Sequence, residues 1–175
     1  MSQIALGLDD SALAIARDGD LVSTAPSIVQ AVAGARPIGA PALDLIRLRP
    51  RDVSSRHWAQ LVRGEGDLAA AARLARAELA ARAAAAGIDV GEMQGLQVAV
   101  PSNFDAAALG RVLAVLRAAR WPVAGFVDAA AVLCAALGTT RTTIVLDVGL
   151  HHLSAALVSP DGTGVRRRAV RARAG

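Results

Sequence analysis

Two aspartates follow short apolar segments near the two ends of the chain. Asp9 comes after the apolar residues 3–8, and Asp147 ends the apolar run that begins at Thr143. Hydrated Mg²⁺ keeps several of its waters and takes only one or two protein carboxylates. If the two segments are strands that end at one cleft, Asp9 and Asp147 form an acidic pair over a shared ligand. If the two segments do not meet at a cleft, Asp9 and Asp147 simply end strands in polar loops.

A glycine accompanies each aspartate. Gly7 stands two residues before Asp9, and Gly149 stands two residues after Asp147. A glycine in a turn lets backbone N–H groups come close to phosphate oxygens, where a side chain would block the approach. The two segments are therefore candidates for the phosphate-contacting turns of a nucleotide cleft.

The adjacent histidines His151 and His152 raise the question of a metal site. Adjacent residues on a strand point to opposite faces, so that both rarely bind one ion. No cysteine and no cluster of carboxylates accompanies them in the sequence. The sequence therefore predicts that this pair does not form a metal site.

The segments around these residues predict strands first and then an alternation of helices and strands. The apolar segments 3–8, 12–17 and 21–24 form an antiparallel meander, since the turn signal Asp18-Gly19-Asp20 separates the last two. The next 40 or so residues contain several prolines and no clear periodicity, which predicts irregular or short elements over about 30–66. The remaining pattern predicts a helix, a strand, a helix, a strand and a helix, at 67–86, 96–100, 105–120, 123–127 and 128–137.

The helix predicted over 67–86 has the clearest pattern. Asp67 is its predicted N-cap and Gly87 its C-terminal stop. Its alanines and leucines form one apolar stripe, and the arginines Arg73, Arg76 and Arg82 are predicted to lie off that stripe. In the last helix Cys134 lies among apolar residues, so we expect an inert core thiol.

A second meander begins at residue 143, continues through 153–158, turns at Asp161-Gly162 and returns from residue 165. The segments IALGLDDSALAIARDGD and IVLDVGLHHLSAALVSPDG share the order of strand, aspartate, polar loop, strand and Asp-Gly turn. Three antiparallel strands before alternating helices and strands make a ribonuclease-H-like unit, and two such units facing a cleft make the actin-like ATPase fold. The alternative is two unrelated hairpins that share a common turn dipeptide.

We therefore predict an α/β fold with one complete unit and the start of another. Residues 1–140 form the first actin-like lobe, a mixed five-stranded sheet with helices and a small irregular insertion at about 30–66. Residues 141–175 form the incomplete start of the second lobe, its first β-meander.

Composition narrows the function classes. No stretch approaches the roughly 18 apolar residues of a membrane-spanning helix, and the N-terminus carries no signal-peptide pattern. A single cysteine forms no internal disulfide, which favours a cytoplasmic location. All 19 basic residues are arginine, and the arginines clustered near the C-terminus have no aromatic residues beside them. We therefore expect no nucleic-acid partner.

Three segments resemble the nucleotide-binding domain of the DnaK-type heat-shock chaperones of the actin-like ATPase superfamily. The first is Gly7-Leu8-Asp9 with TAPSIV at 24–29, similar to the family's first phosphate motif and its T-x-P-S-x-V strand. The second joins VAVPSNFD at 98–105 to DAAA at 128–131, similar to the family's V-P-x-x-F strand end and E-P-T-A-A-A helix start. The third is VLDVG at 145–149, similar to the second phosphate motif D-L-G-G-G-T.

The resemblance implies an ATP/ADP site with Mg²⁺ in a bacterial, chaperone-like protein. It implies water-mediated metal contacts from Asp9 and Asp147, and it gives Asp128, with Asp9, the catalytic role of the family's water-positioning glutamate. It implies a nucleotide-binding set made of Gly7, Asp9, Asp10, Ser11, Asp147, Gly149 and His151.

The departures from the family pattern predict weak hydrolysis or none. Asp10-Ser11-Ala12 stands where the family has G-T-T, and no lysine is available for the phosphate. The alternative function is a catalytically degenerate actin-like scaffold that serves as a protein-interaction platform. A ribonuclease-H-type nuclease needs a carboxylate at the end of the fourth strand, where this chain has Val100-Pro101.

The expected partners are a nucleotide and an unknown protein partner or client. Because the predicted second lobe stops after its meander, its apolar faces and strand edges lack cover. We therefore expect this chain to self-associate through the exposed second-lobe strands.

Overall fold

A computed structural model describes residues 2–31, 37–161 and 164–174, without the side chain of residue 174. Its strands are β1 (Ile4–Leu8), β2 (Ala12–Arg17), β3 (Asp20–Pro26), β4 (Val29–Gln30), β5 (Val53–Ser54), β6 (Leu96–Val100), β7 (Val123–Asp128), β8 (Thr143–Val148), β9 (His152–Pro160) and β10 (Val165–Ala174). Its α-helices are α1 (Ala40–Leu48), α2 (His57–Arg63), α3 (Leu68–Ala85), α4 (Ala106–Ala118) and α5 (Ala129–Ala136). Short 3₁₀ turns cover Pro50–Asp52 and Val90–Glu92.

The larger sheet is mixed and has five strands in the order β3-β2-β1-β6-β7. The first three strands pair antiparallel, whereas β1 with β6 and β6 with β7 pair parallel. The predicted α/β architecture with a mixed five-stranded sheet is therefore confirmed. The parallel arrangement places the C-terminal ends of β1, β6 and β7 at the same edge of the sheet.

The hairpin between β2 and β3 follows from its turn residues. Arg17 pairs with Asp20, so the loop has two residues, Asp18 and Gly19, with φ angles of 54° and 93°. Positive φ at both positions is typical of the turn that suits the twist of a two-residue hairpin, and glycine adopts it without strain. In the second meander the predicted turn at Asp161-Gly162 lies partly outside the described residues.

Three of the α-helices, α3, α4 and α5, begin after an aspartate. The side chains of Asp67, Asp105 and Asp128 accept hydrogen bonds from the backbone N–H groups of the first turns of α3, α4 and α5. Helices α2, α3 and α4 pack on one face of the large sheet and enclose the main core with Leu6, Ile15, Val98 and their neighbours. None of the described helices is long and apolar enough to cross a membrane.

The stretch predicted as irregular or short elements over about 30–66 contains two helices, α1 and α2, and the two-stranded pair β4-β5. Helix α2 packs against α3 and α4, and Trp58 and Leu61 belong to the main core. This segment is thus a structural part of the first unit, and its buried tryptophan fixes its place.

A buried polar network joins this segment to α3. One oxygen of Glu78, Oε2, accepts hydrogen bonds from Ser27 Oγ at 2.9 Å, from His57 Nε2 at 2.8 Å and from Trp58 Nε1 at 2.8 Å. Glu78, Ser27 and His57 have no solvent exposure, and Trp58 has almost none. The three donors replace the water that Oε2 loses on burial, whereas the other oxygen, Oε1, has no hydrogen-bond partner among the described residues.

The structure corrects the expected position of Arg82 on α3. Arg82, predicted off the apolar stripe, is buried, and it lies one turn after Glu78 on the same face. The buried face also contains Ala75, Leu79 and Ala83 of the predicted stripe.

The second sheet has three antiparallel strands in the order β10-β9-β8. Helix α5 lies between the two sheets, and its Ala130 and Cys134 pack with Ala156 and Val158 of β9 in a small second core. The expected burial of Cys134 is confirmed. The opposite face of this sheet is exposed and apolar along β8, where Ile144, Leu146 and Val148 are 67%, 69% and 74% exposed.

Replacement of Glu78 tests the role of the buried network. We expect Glu78→Ala to lower the free energy of unfolding by about 3–5 kcal/mol, because three buried donors lose their shared acceptor. Glu92→Ala, which removes an exposed glutamate, is the matched control and should change it by less than about 0.5 kcal/mol. Urea unfolding followed by circular dichroism measures both, and equal effects would contradict the proposed role.

Candidate functional site

The site lies where the turn between β1 and β2 meets the turn between β8 and β9. The first turn has only three residues, Asp9, Asp10 and Ser11. Asp9 Oδ1 accepts hydrogen bonds from the backbone N–H of Ser11 at 2.7 Å and from its hydroxyl. This local turn fixes the Asp9 carboxylate and presents the next side chain, Asp10, to the second sheet.

The Asp10 carboxylate holds the second turn. Its Oδ1 accepts the backbone N–H of Leu150 at 2.8 Å, and its Oδ2 accepts the backbone N–H of His151 at 2.7 Å. Consecutive N–H groups that converge in a turn form a concave site for an anion. Here the anion is a side chain of the same protein, 140 residues away in sequence.

His152 joins the carboxylates of both sheets. Its Nδ1 lies 3.3 Å from Asp10 Oδ2, and its Nε2 lies 3.2 Å from Asp147 Oδ2. Hydrogen bonds to Asp10 and then to Asp147 raise the pKa of His152 to about 10, against the opposing effect of burial. At neutral pH the ring is an imidazolium between two acidic side chains.

The two aspartates of the first turn differ in acidity. Burial opposes ionisation of Asp10, but the hydrogen bonds from His152, Leu150 and His151 outweigh it and lower the pKa of Asp10. Burial raises the pKa of Asp9, and the nearby charges of Asp10 and Asp147 add to that rise, against the hydrogen bonds from Ser11. Asp10 is therefore the more acidic of the two carboxyl groups in this turn.

The two predicted glycines have different reasons to be glycine. A Cβ on Gly149 would collide with Asp10 Oδ1 and with the ring of His152. The tight approach of the two turns thus excludes any side chain at Gly149. A Cβ on Gly7 would only touch Ala14 at an ordinary 3.6 Å, so the packing around this position does not require glycine.

Asp128 lies outside this cluster. Its carboxylate caps α5 by accepting Ala131 N–H at 3.1 Å, accepts the hydroxyl of Ser102 at 2.7 Å, and forms an ion pair with Arg167 of β10 at 2.8 Å. Among the described residues, no hydrogen bond or ion pair connects it with Asp9 or Asp147. The candidate catalytic residue is thus engaged in holding β10.

The structure brings most of the predicted residues together. Asp9, Asp10 and Ser11 form the first turn, and Asp147, Gly149 and His151 surround the second. The side chain of His151 turns away, with its Nε2 3.2 Å from Ser55 Oγ, and only its backbone faces Asp10.

His152 is the residue that sequence reasoning missed. The two rings have different partners, as expected, but not because they lie on opposite faces of a strand: His151 belongs to the turn, and β9 begins at His152. The expectation that no carboxylates gather near the pair is wrong. The carboxylates come from Asp10 and from Asp147, which only tertiary contact and the hairpin turn bring to the ring. The available signal was the short turn GLHH, which folds His152 back toward Asp147.

Cavities flank the cluster on two sides. One of about 390 Å³ has Asp10 and His152 in its wall, together with Trp58, Arg63 and Phe104. Another of about 340 Å³ lies between the two sheets and is lined by small residues, with Asp9, Asp147 and Ser154 in its wall. The acidic cluster is therefore accessible from both.

Comparison with protein-family models and with curated proteins found no match for this chain.

The raised pKa of His152 predicts a pH-dependent contribution to stability. A pKa raised from 6.5 to about 10 stabilises the fold fully below pH 6.5, and this stabilisation is lost as pH rises through 10. His152→Gln should therefore lower the free energy of unfolding by about 1–3 kcal/mol at pH 6. The difference from the wild type should shrink steadily above pH 7 and nearly vanish at pH 10.5.

Urea unfolding at several pH values, with a chelator present, measures this dependence. His151→Gln removes the neighbouring ring, which lies outside the cluster, and should show no such trend. A deficit of His152→Gln that stays constant with pH would contradict the assignment of charge.

Proposed function

We propose that the first 140 residues form a ribonuclease-H-like unit of the actin-like ATPase type and that the second sheet begins another such unit. The strand order β3-β2-β1-β6-β7, with three antiparallel strands followed by two parallel ones, supports this fold. The three-stranded antiparallel order of the second sheet repeats the opening meander of the first. The resemblance to DnaK-type chaperones in the turn sequences supports it as well.

Within this fold we propose that the chain acts as a protein-interaction scaffold whose phosphate-type turns no longer bind a nucleotide. The observation that carries this proposal is the Asp10 carboxylate, which accepts the N–H groups of Leu150 and His151. In a nucleotide cleft such N–H groups face phosphate oxygens. Here an internal anion takes that position.

Electrostatics favour the internal anion over a phosphate. The positive charge of His152 already lies against Asp10 and Asp147. A phosphate would have to displace Asp10 and bring further negative charge beside Asp9 and Asp147, in a partly buried site where charges interact strongly. Two further phosphate contacts of the family are missing here. The first turn has only three residues and none of them is glycine, and the chain has no lysine to contact a phosphate.

A second candidate function is ATP or ADP binding with Mg²⁺ and weak or no hydrolysis. The cavity of about 390 Å³ beside the cluster favours it, because Arg63, Arg111 and Arg173 line its wall next to Asp10. In this candidate Asp9 and Asp147 hold Mg²⁺ through water, and a nucleotide enters from the arginine side. Arg167 holds the Asp128 carboxylate, which argues against rapid water activation.

Calorimetry and thermal unfolding with nucleotide distinguish the two functions. The scaffold predicts no binding heat and no shift of the unfolding midpoint for the wild-type chain with millimolar Mg-ATP. Saturable binding would instead support the nucleotide-binding candidate and contradict the scaffold.

The variant Asp10→Ala tests the internal anion directly. It frees the N–H groups of Leu150 and His151 beside the charged ring of His152, so inorganic phosphate should raise its unfolding midpoint but leave the wild type unchanged. Without phosphate it should lose at least about 1.5–3 kcal/mol of stability. Asp20→Ala, at an exposed aspartate, is the control, and an equal phosphate response in both variants would count against the idea.

The second sheet supports a further part of the proposal, self-association through β8. Both edges of this sheet are open among the described residues, but β10 carries five arginines, whereas β8 carries exposed Ile144, Leu146 and Val148. Charged edges resist pairing with another sheet, and apolar edges favour it. The same edge on two copies can pair about a two-fold axis, so we propose a second copy of this chain as the occupant.

A charge on β8 should prevent this association. The wild-type chain is expected to show a dimer that grows with concentration in sedimentation or light scattering. Leu146→Lys should weaken dimerisation by at least about tenfold, the ratio that corresponds to about 1.4 kcal/mol. Leu21→Lys changes a similarly exposed leucine (64%) on the edge of the large sheet and should leave the dimer intact.

A wild-type chain that remains monomeric at high concentration would contradict the proposed dimer. So would a dimer that both lysine variants weaken equally, because the β8 edge would then have no special role.

A further inference from the structure

Three potential metal ligands converge at the meeting of the two turns. Asp9 and Asp10 each offer a carboxylate oxygen, and His152 offers a ring nitrogen, with all three atoms within 4.8 Å of one another. Two of these residues come from the first sheet unit and one from the second. The set combines imidazole and carboxylate, which suits Zn²⁺ and related transition-metal ions better than an oxygen-only set does.

One of the distances between these atoms equals that expected between two ligands of a bound ion. His152 Nδ1 and Asp10 Oδ2 lie 3.3 Å apart. Bonds of about 2.0–2.1 Å to a tetrahedral ion place two ligand atoms roughly 3.3 Å apart. Asp9 Oδ1 is taken by Ser11, which leaves the other oxygen of this carboxylate for an ion.

Asp147 has the position of an orienting group. Histidines that bind a metal through one nitrogen commonly donate the other N–H to a carboxylate, which fixes the ring. With Nδ1 toward Asp10, the Nε2 of His152 faces Asp147 at 3.2 Å. The ring is thus held in the orientation that a metal at Nδ1 requires, and the ion takes the place of the proton that Nδ1 carries in the imidazolium, which is released on binding.

An independent observation points to a ligand on the side of the inter-sheet cavity. Ser154 is 1% exposed, and its Oγ has no hydrogen-bond partner. It pairs with Asp147 in the β8-β9 register, and both line the cavity that Asp9 also lines. A buried hydroxyl without a partner is costly, and a water or ion-bound water in this cavity would supply one.

We infer that Asp9, Asp10 and His152 bind one divalent transition-metal ion, with Asp147 orienting the histidine. Three protein ligands leave a coordination position for water, and the flanking cavities give the ion a path of entry. Because the ligands come from two sheets, the ion fastens one sheet unit to the other. This site differs from a hydrated Mg²⁺ between Asp9 and Asp147, since it requires a nitrogen ligand and involves no nucleotide.

Equilibrium dialysis of the chelator-treated chain against Zn²⁺ tests the site. The wild type should bind one Zn²⁺ per chain, and Zn²⁺ should raise its unfolding midpoint. His152→Ala and Asp9→Asn should lose this binding and this shift. Asp147→Asn should keep the stoichiometry but bind about 10–100-fold more weakly, as orienting carboxylates do.

His151→Ala is the matched control, because this adjacent ring faces Ser55 and not the cluster; it should bind Zn²⁺ as the wild type does. Circular dichroism in chelator establishes that each variant is folded, and Asp9→Asn, a nearly isosteric change, keeps the test valid if His152→Ala unfolds. The proposal is overturned if the wild type binds no Zn²⁺, if Mg²⁺ binds equally well, or if His151→Ala loses binding as His152→Ala does. Nucleotide is absent throughout, so these outcomes are independent of the ATP experiments.

Discussion

The contact on which the arrangement of the two sheets depends is the carboxylate of Asp10 in the turn between β8 and β9. Two backbone N–H groups and one imidazolium converge on it from the second sheet. Hydrogen bonds to a charged acceptor are stronger than neutral ones, and this acceptor is largely removed from water. The second sheet otherwise meets the first unit mainly through α5 and a few arginine contacts, so this carboxylate fixes the relative position of the turns.

The first unit has a second polar centre of a different kind. Glu78 lies within an apolar core and gathers donors from the segment after β3 and from α2. Two of these three hydrogen bonds come from α2, so they add a directional constraint to the apolar packing of Trp58 and Leu61 on α3. The Glu78 carboxylate therefore orders the interior of the first unit, and the Asp10 carboxylate orders the boundary between the two units.

The elements could be predicted from the sequence where local chemistry determines them. The helix at Leu68–Ala85 has an aspartate cap and an alternation of alanine, leucine and arginine, and the hairpin at Asp18-Gly19 has a turn that tolerates few other residues. The strand Leu96–Val100 agrees with the prediction residue by residue.

The site could be predicted only in part, because its partners lie far apart along the chain. Gly7, Asp9, Asp147 and Gly149 were accessible through the repeated pattern of the two meanders. The roles of Asp10 and His152 depend on contacts across about 140 residues, which no local periodicity encodes. The burial of Glu78 likewise depends on donors from other elements, and the burial of both Glu78 and Arg82 contradicts the usual preference of charged side chains for the surface.

If the chain has the proposed actin-like fold, the internal anion changes what its cleft can do. A ligand shifts the equilibrium between two arrangements of the lobes only by the difference between its binding free energies for the two arrangements. Where phosphate provides the link between two turns, its binding and release change the distance between the lobes. In this chain Asp10 provides the link permanently. Because its carboxylate is part of the protein, its effective concentration at the second turn is high and no ligand has to bind. The proposed scaffold follows from that difference. The cleft stays closed without a nucleotide. The surfaces that the closed arrangement presents to partners are therefore constant.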